Sequence, residues 1–285
     1  MFDVTVVGSA NLDLVAQTER IPGPGETLLA ANYAEHPGGK GLNQAVAARR
    51  AGAATAFVGA LGGDGAGDNL RAVLTTEGID ATNVDSLDAP TGRALITVSA
   101  DAENTIVVVP GANALVGPPL SLAPTRVVAT QLEIPIATVR ATLGTARSIG
   151  ATTVLNPAPA NDLDHQLLGL VDVLTPNEHE LELLGGVDAL LAAGVAAIVV
   201  TRGAAGAEIH RTDHSVERVA PFRIDAVDTT GAGDAFNGAL ATWLADGASL
   251  HQAVQMGCAA GALAATQPGA VPSLPRREQI AALVG

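Results

Sequence analysis

Asp228-Thr-Thr-Gly-Ala-Gly-Asp-Ala-Phe-Asn-Gly-Ala-Leu-Ala-Thr-Trp-Leu244 combines a glycine turn with the start of a helix. Phe236, Leu240 and Leu244 recur every four residues, which predicts a helix that begins at about Gly233. Glycines ahead of a helix let the backbone turn tightly and leave consecutive N–H groups free at its positive end. The stretch therefore predicts a turn, an anion site and a helix, in that order.

Asp234 stands in the first turn of that helix, beside any bound anion. A carboxylate there is within reach of a nucleophilic hydroxyl and can take its proton. N–H donors for a phosphate and a base for its acceptor are together the parts of a phosphoryl-transfer site. A turn in which Asp234 only complements the helix dipole explains the same residues, so the stretch alone leaves that alternative open.

Outward from this stretch, short apolar runs alternate with helical stretches along most of the chain. The runs are Val4–Gly8, Thr55–Val58, Val127–Thr130, Thr153–Leu155, Val171–Leu174 and Ala197–Thr201. Such alternation is typical of βαβ units and of a buried, mostly parallel sheet between helices. The predicted fold class is therefore α/β.

Two segments break the alternation. Asp13–Tyr33 is rich in proline and glycine, and Arg93–Val109 contains two strand-like runs joined by a polar connection, which is a hairpin pattern. We expect both to form one small antiparallel sheet that projects from a single α/β domain over residues 1–285. Its strands would come from about 13–37 and 93–110. Such a sheet can cover a site or pair subunits, or it can be an ordinary edge extension.

Composition excludes several classes of function. Lys+Arg number 15 against 29 Asp+Glu, giving a net charge of −14, and aromatic residues are only 2%. Both argue against a nucleic-acid partner. The single cysteine, Cys258, excludes an internal disulfide. The longest apolar run, Ala189–Val200, is shorter than the about 20 residues that a bilayer requires. We expect a soluble, cytoplasmic protein without a membrane partner.

Three further motifs suit a ligand with many hydroxyl groups. Asn11 and Asp13 follow the first strand, alternate with Leu12 and can point the same way. The segment His36–Asn43 opens a helix with glycines, a lysine and an asparagine, but it lacks the spacing of a Walker A loop. Glu133 ends another strand. Turn-stabilising Asx bonds and a solvated lysine are the alternatives for the first two motifs.

Thr175-Pro-Asn-Glu-His-Glu180 follows a strand and opens a helix. Asn177 and Glu180 are three residues apart and share a helical face, so they can hold water molecules around Mg²⁺. A capping arrangement, in which both side chains bond backbone N–H groups, is the alternative. The six histidines lack zinc-motif spacing, and no G-x-S-x-G nucleophile motif occurs.

Together these motifs resemble the ribokinase branch of the PfkB sugar-kinase family, over nearly the whole chain. The motifs that carry the resemblance, in the family's order, are Gly8-Ser-Ala-Asn-Leu-Asp13, Pro24-Gly-Glu-Thr27, Gly38-Gly-Lys-Gly-Leu-Asn43, Gly111-Ala-Asn-Ala114, Asn156-Pro-Ala-Pro-Ala160, Thr175-Pro-Asn-Glu178 and Asp228–Asp234. The resemblance implies a central, mostly parallel sheet between helices and a small β lid that doubles as a homodimer interface. It also implies ATP-dependent phosphorylation of D-ribose at its 5-hydroxyl.

The resemblance further implies roles for individual residues. Asp234 would be the catalytic base, with the backbone of Gly231, Ala232 and Gly233 as the anion hole. The implied sugar contacts are Asn11, Asp13, Gly39, Lys40, Gly41, Asn43, Glu133 and Asp234. The implied ATP contacts are Asn177, Glu180, Thr201, Gly203, Gly206, Gly233 and Cys258, with Glu180 in a Mg²⁺–phosphate motif. The positions that match the family's K⁺ site are Asp228, Thr230, Ala264, Gln267, Gly269 and Ser273.

Two departures from the family pattern stand out. The segment Leu184–Val195 is shorter than usual, which predicts a trimmed covering helix, and Cys258 replaces a polar residue near the adenine. The alternative functions are a kinase for another pentose, a ketohexose or a nucleoside, and a non-catalytic sugar-binding protein. Scarce aromatic residues argue against a nucleoside, which favours a stacking partner.

Overall fold

The computed structural model describes residues 1–101, 103–119 and 121–285. Ala102, inside the predicted range 93–110, and Leu120 lie outside this description. The strands, in chain order, are β1 Phe2–Val7, β2 Asn11–Gln17, β3 Asn32–Gly38, β4 Thr55–Gly62, β5 Val84–Leu87, β6 Gly92–Val98, β7 Asn104–Val109, β8 Thr125–Thr130, β9 Thr152–Leu155, β10 Val173–Leu174, β11 Ala197–Thr201, β12 Ala207–Arg211 and β13 Val216–Val219.

The first six helices lie between these strands, and the last four follow β13. They are α1 Lys40–Arg50, α2 Gly65–Glu77, α3 Ile136–Ser148, α4 His165–Leu168, α5 Glu178–Leu183, α6 Val187–Ala192, α7 Ala232–Ala245, α8 Leu250–Ala264, α9 Ala270–Ser273 and α10 Arg277–Val284. Within the described ranges, none of them is both long enough and apolar enough to span a bilayer.

The central sheet has nine strands in the order β13-β12-β11-β10-β9-β8-β1-β4-β5. Neighbours from β5 to β11 pair in parallel, whereas β12 and β13 add an antiparallel hairpin at one edge. The mostly parallel α/β sheet predicted from the sequence is confirmed. In such a sheet the carboxyl ends of the strands meet at one edge, and that edge is where ligands bind.

Helices cover both faces of this sheet. Val4 and Val6 of β1 pack into one apolar layer with Leu240 of α7, and that layer also contains α1 and α8. Val7 points to the opposite face and packs with Leu143 of α3. Because side chains alternate along a strand, a strand that is apolar at successive positions must be buried on both faces.

A separate small sheet has the strand order β3-β2-β6-β7. Its outer pairs, β2–β3 and β6–β7, are antiparallel as expected, but the central pair β2–β6 is parallel, so the expectation of a wholly antiparallel sheet was wrong. The reason is connectivity. Strand β2 follows β1 and β6 follows β5, so both leave the same edge of the central sheet and run the same way.

Some predicted boundaries shifted. Helix α2 begins at Gly65 because Asp64 caps it by accepting a hydrogen bond from the N–H of Gly67. Strand β4 extends four residues beyond the predicted 55–58, and β10 contains only Val173 and Leu174. Within the predicted short segment 184–195, one six-residue helix, α6, remains.

Candidate active site

The start of α7 opens into a cleft at the carboxyl ends of the central strands. The cleft has a volume of about 200 Å³, and seven of the residues that the sequence singled out line it: Lys40, Asn177, Glu180, Thr201, Gly231, Gly233 and Asp234. Its other lining residues are Asn156, Ala158, Thr175, Thr229 and Asn237. Five separate parts of the chain therefore meet in this cleft, and one of them carries Asp234.

Asp234 is held by two side-chain amides. The Nδ2 of Asn43 donates to its Oδ2 at 2.9 Å, and the Nε2 of Gln44 donates to its Oδ1 at 3.0 Å. Only 7% of Asp234 is exposed. Burial raises its pKa, while the positive charge of Lys40 and the two amide donors oppose that rise. The site therefore offers a fixed and desolvated carboxylate, which is a suitable form for a base.

The glycine turn gives the backbone of α7 close access to the cleft. Gly231 has a φ of 76°, and a Cβ there would lie 2.9 Å from the Cα of Ala270, so only glycine fits. Gly233 is helical, and a Cβ there would meet no atom within 4 Å. The missing side chain of Gly233 therefore leaves open space on the cleft.

No side chain in the described part of the protein caps α7. First-turn N–H groups without such a partner remain available to an anion. The N–H of Ala232 already donates to the carbonyl of Thr229 at 3.2 Å. Of the three residues predicted to form the anion hole, Ala232 therefore has an N–H group that already donates a hydrogen bond within the turn.

The residues predicted to contact a sugar lie where the small sheet meets α1. Asn11 is buried, and its Oδ1 accepts from the Nδ2 of Asn113 at 2.7 Å. Glu133 accepts from the Oγ of Ser9 at 2.5 Å and from the N–H of Lys40 at 3.0 Å. These bonds tie the ends of β1 and β8 to the first residue of α1.

The glycines at the start of α1 allow this close packing. A Cβ on Gly38 would fall 2.1 Å from Oδ2 of Asp13, and one on Gly41 would fall 2.6 Å from the N of Ser9. Gly39 caps the helix with a φ of 87°. Asp13 therefore reaches the backbone ahead of α1, and α1 itself lies directly on the turn that follows β1.

Lys40 is the only lysine of the chain. Burial lowers its pKa, but the negative charges of Asp234, Glu133 and Glu180 outweigh this effect and raise the pKa above its usual range. Lys40 is therefore a permanent cation that lies near the carboxylates of Asp234, Glu133 and Glu180. That position suits contact with a phosphate.

Asn177 and Glu180 form a capping box at the start of α5. The Oδ1 of Asn177 accepts from the N–H of Glu180 at 2.8 Å, and the Oε2 of Glu180 accepts from the N–H of Asn177 at 2.9 Å. The capping alternative is thus observed, although both residues also line the cleft. In the described ranges, no group of three or more His, Cys, Asp or Glu side chains is arranged to bind a metal.

The remaining residues assigned to nucleotide binding divide into two groups. Thr201 ends β11 in a bridge with Asn177, and Gly203 and Gly206 form the following turn, in which the N–H of Arg202 donates to Gly206. Cys258 lies on α8, packs against the apolar layer, and is absent from the cleft lining. Burial raises the pKa of its thiol to about 12, so it stays protonated at neutral pH.

The residues assigned to K⁺ bring together the loops before α7 and after α8. Asp228 accepts from the N–H and Oγ of Thr230 at 2.9 and 2.6 Å, and from the N–H of Gly269 at 2.8 Å. Burial raises the pKa of Asp228, but these donors outweigh burial and lower it. The N–H of Gln267 donates to the carbonyl of Ala264 at 3.2 Å. Together with Ser273, Gln267 lines a second cleft of about 280 Å³ that shares no residue with the first.

Several polar residues of the site had no role in the sequence interpretation: Ser9, Gln44, Asn113, Asn156, Thr175 and Asn237. The Oγ1 of Thr175 donates to Oδ1 of Asn237 at 2.7 Å, and Nδ2 of Asn237 donates to the carbonyl of Gly233 at 2.8 Å. Five of the six lie in stretches quoted above, and Gln44 directly follows one of them. Asn156 and Thr175 each stand directly after a buried strand, and that signal could have found these two.

We predict that Asp13→Asn changes how stability depends on pH. Burial, with help from Glu133 and Asp234, raises the pKa of Asp13 from 3.8 to about 7. The folded protein therefore keeps a proton that the unfolded chain loses, and the free energy of unfolding falls as pH rises between those values. The variant should gain roughly 1–3 kcal/mol over the wild type across this window.

Urea unfolding at pH 4.5, 6 and 8 measures the difference, with Asp85→Asn on the exposed face of β5 as control. The free energy of unfolding of the control should differ from that of the wild type by the same amount at all three pH values. The same pH-independent difference for Asp13→Asn would contradict the raised pKa.

Comparison with known proteins adds independent findings. The model of the pfkB family carbohydrate kinases matches residues 1–277. Ribokinase of Haemophilus influenzae is 38% identical over 295 residues, covering 97% of this chain and 96% of that protein. Deoxyribokinase of Salmonella typhi is 34% identical over 297 residues, with 97% of each chain covered.

A solved structure also matches nearly the whole chain. Ribokinase of Arabidopsis thaliana, complexed with ribose and ATP, superposes with a TM-score of 0.88 at 30% sequence identity. The match covers 99% of this chain and 98% of that chain. The likeness therefore includes both the central sheet and the small sheet.

Proposed function

The chain belongs to the pfkB family of carbohydrate kinases, and from that premise we propose that it phosphorylates D-ribose at the 5-hydroxyl with ATP. One observation carries the proposal. The buried carboxylate of Asp234 lies beside the glycine turn of α7, in a cleft that sugar-side and nucleotide-side residues share. The ribose and ATP in the Arabidopsis structure support this choice of substrates.

In the proposed reaction, the 5-hydroxyl oxygen attacks the γ-phosphorus of ATP. An oxygen–phosphorus bond forms, the bond from the γ-phosphorus to the bridging oxygen breaks, and ADP leaves with that electron pair. Asp234 takes the hydroxyl proton, as a carboxylate without water around it is suited to do. Free N–H groups of Gly231 and Gly233, together with the ammonium of Lys40, stabilise charge on the transferred phosphate.

The sugar would bind against Asn11, Asp13, Asn43 and Glu133. Asn43 uses its Nδ2 on Asp234, and its buried Oδ1 has no donor among the residues that the structure describes. A ligand hydroxyl can supply that donor. Because Asp13 has a pKa of about 7, it would become a full acceptor for sugar hydroxyls only above neutral pH.

Two cations are part of the proposal. Glu180, which lines the cleft, would hold Mg²⁺ together with the ATP phosphates, and the lack of an acidic cluster in the described part of the site agrees with a mainly phosphate- and water-bound ion. Bound Mg²⁺ would neutralise charge on those phosphates. For K⁺, the lowered pKa of Asp228 provides an ionised carboxylate that joins the loops around Gly269 and Thr230.

We also propose that the small sheet acts as a lid and as the interface of a homodimer. Strands β6 and β7 expose an apolar face, which includes Leu95 on β6 and the run Ile106–Val109 on β7. Exposed apolar patches of this kind often mark protein interfaces. Sedimentation of the purified protein, with and without ribose, tests the dimer.

The experiment that tests the function is a panel of acceptors with coupled detection of ADP. It includes ribose, 2-deoxyribose, other pentoses, a ketohexose and a nucleoside, each with Mg²⁺ and with K⁺ or Na⁺. We expect ribose to be preferred. The deoxyribokinase relative makes 2-deoxyribose the important competitor, and equal rates on several sugars would refute ribose specificity.

Lys40 gives a direct probe of the site, because it is the only lysine. We predict that ribose plus a non-hydrolysable ATP analogue slows reductive methylation of its amine by about tenfold or more, since bound ligands exclude the reagent from a cleft. The α-amine of Met1, whose residue is 81% exposed, is the internal control. Mass spectrometry of the two peptides measures both rates, and equal methylation of Lys40 with and without ligands would contradict the proposed binding site.

A further inference from the structure

We propose that Gln44 is a positioning residue, which aims the carboxylate of Asp234 at the acceptor hydroxyl, and that Gln131 and Asn156 fix the amide of Gln44. The inference rests on the proposed function, because it takes Asp234 as the base. Gln44 is the residue after the sugar-side motif and was given no role by the sequence. Its Nε2 donates to Oδ1 of Asp234 at 3.0 Å.

The orientation of all three amides follows from one backbone carbonyl. The carbonyl of Thr175 can only accept, so Asn156 must present its Nδ2 there, at 3.1 Å. The Oδ1 of Asn156 then faces Gln44 and accepts from Nε2 at 3.3 Å. Gln44 consequently turns its Oε1 to Gln131, whose Nε2 donates to it.

We call the connected side-chain amides of Gln44, Gln131 and Asn156 the amide relay, and it joins α1 to the ends of three neighbouring strands. Gln131 follows β8, Asn156 follows β9 and Thr175 follows β10, while Gln44 reaches them from α1. Gln44 is 1% exposed and Gln131 is fully buried. Water therefore cannot replace either partner, and a rotated Gln44 amide would place its carbonyl oxygen against a carboxylate.

The two oxygens of Asp234 are held from one helix. Asn43 and Gln44 are consecutive residues of α1, and each donates to a different oxygen. A carboxylate with one N–H donor on each oxygen is fixed in its plane, which leaves a defined lone pair for the incoming hydroxyl. Asn43 alone would fix one oxygen and allow the group to rotate.

Charged groups from other elements also act on Asp234. Lys40 of α1 favours its ionised form and Glu133 after β8 opposes it, while Asp13 of β2 becomes a further like charge above its own pKa of about 7. Burial raises the pKa of Asp234, and the bonds from Asn43 and Gln44 lower it. Loss of the Gln44 donor should therefore raise the pKa of Asp234 further while the neighbouring charges stay in place.

The test compares Gln44→Met, which keeps the length of the side chain and removes its donor, with Thr142→Val as control. Thr142 is fully buried on α3, among residues of the other apolar layer, and has no part in the site. We expect Gln44→Met to lower kcat about 10- to 100-fold with little change in the KM for ribose, because a misplaced base affects the reacting geometry more than binding. The acidic limb of the kcat–pH profile should move to higher pH.

Gln131→Met gives a second variant, in which Gln44 is present but its amide is released. It should shift kcat and the pH profile in the same direction as Gln44→Met but by a smaller amount. If Gln44→Met fails to fold, Gln131→Met tests the proposal in its place. An unchanged pH profile and kcat in whichever variant folds, or changes no larger than those of Thr142→Val, would overturn the positioning role.

A measurement that needs no activity separates this inference from the proposed function. Carboxyl-¹³C-aspartate NMR follows the titration of Asp234, whose signal is assigned by its absence in Asp234→Asn. We expect a higher pKa in Gln44→Met than in the wild type, and equal pKa values would refute the relay. Absence of sugar-dependent ATP turnover by the wild type would instead refute the proposed function, whatever the NMR result.

Discussion

Asp234→Asn should lower kcat for ribose phosphorylation by about 10³-fold or more and leave the affinity for ATP unchanged. General bases contribute about 10²- to 10⁴-fold to the rates of reactions that need them. The amide keeps the size of the side chain but cannot take the hydroxyl proton. Its NH₂ group also meets one of the two amide donors, from Asn43 or Gln44, so the side chain loses one hydrogen bond.

Steady-state kinetics gives kcat, and calorimetric titration with a non-hydrolysable ATP analogue gives the affinity. Asp85→Asn is the matched control, because it makes the same exchange on the exposed face of β5. The control should turn over like the wild type. If Asp234→Asn kept its kcat within about tenfold of the wild type, the role of Asp234 as the base would be wrong.

Gly233→Ala should separate stability from activity. A methyl group there meets no atom within 4 Å, so the folded protein accommodates it, and alanine is a better helix former than glycine. The same methyl group projects at the cleft, where the proposed phosphate approaches the backbone of α7. We expect a fall in kcat of about 10²-fold, comparable with the loss of an oxyanion donor, and no loss of stability.

Gly144→Ala is the control for this variant. Gly144 also lies in a helix, α3, and a methyl group there also meets no atom within 4 Å. It should gain about 0.5–1 kcal/mol of stability with unchanged kinetics. Thermal unfolding and kcat are measured for both variants. Full activity of Gly233→Ala would show that the phosphate does not approach the backbone at Gly233.

The sequence predicted those parts of the site that depend on local pattern. Gly231 and Asp234 belong to one turn and one helix start, and the structure has α7 beginning at Ala232, one residue from the predicted position. The alternation of apolar runs predicted the parallel sheet because burial on both faces leaves a continuous apolar strand. Such signals need no knowledge of distant contacts.

The relay behind Asp234 depends on distant contacts and was not predictable. Gln44 lies inside an alanine-rich helix, where its local sequence does not distinguish it from a solvent-exposed polar residue. Its hydrogen-bond partners Asn156 and Asp234 lie 112 and 190 positions away along the chain. The parallel pair β2–β6 was missed for a related reason: the hairpin pattern of β6 and β7 is local, but the direction of β2 relative to β6 depends on where both leave the central sheet.

The most direct test of the central claim is NMR of the product that the purified protein makes from D-ribose and ATP, with Mg²⁺ and K⁺ present. Phosphorus-31 spectra follow ATP, ADP and the sugar phosphate, and carbon–phosphorus coupling identifies the phosphorylated carbon. We predict ribose 5-phosphate and ADP in equal amounts, with phosphorus coupled to C5. Phosphate on another oxygen, or ATP consumption that does not depend on ribose, would contradict the claim.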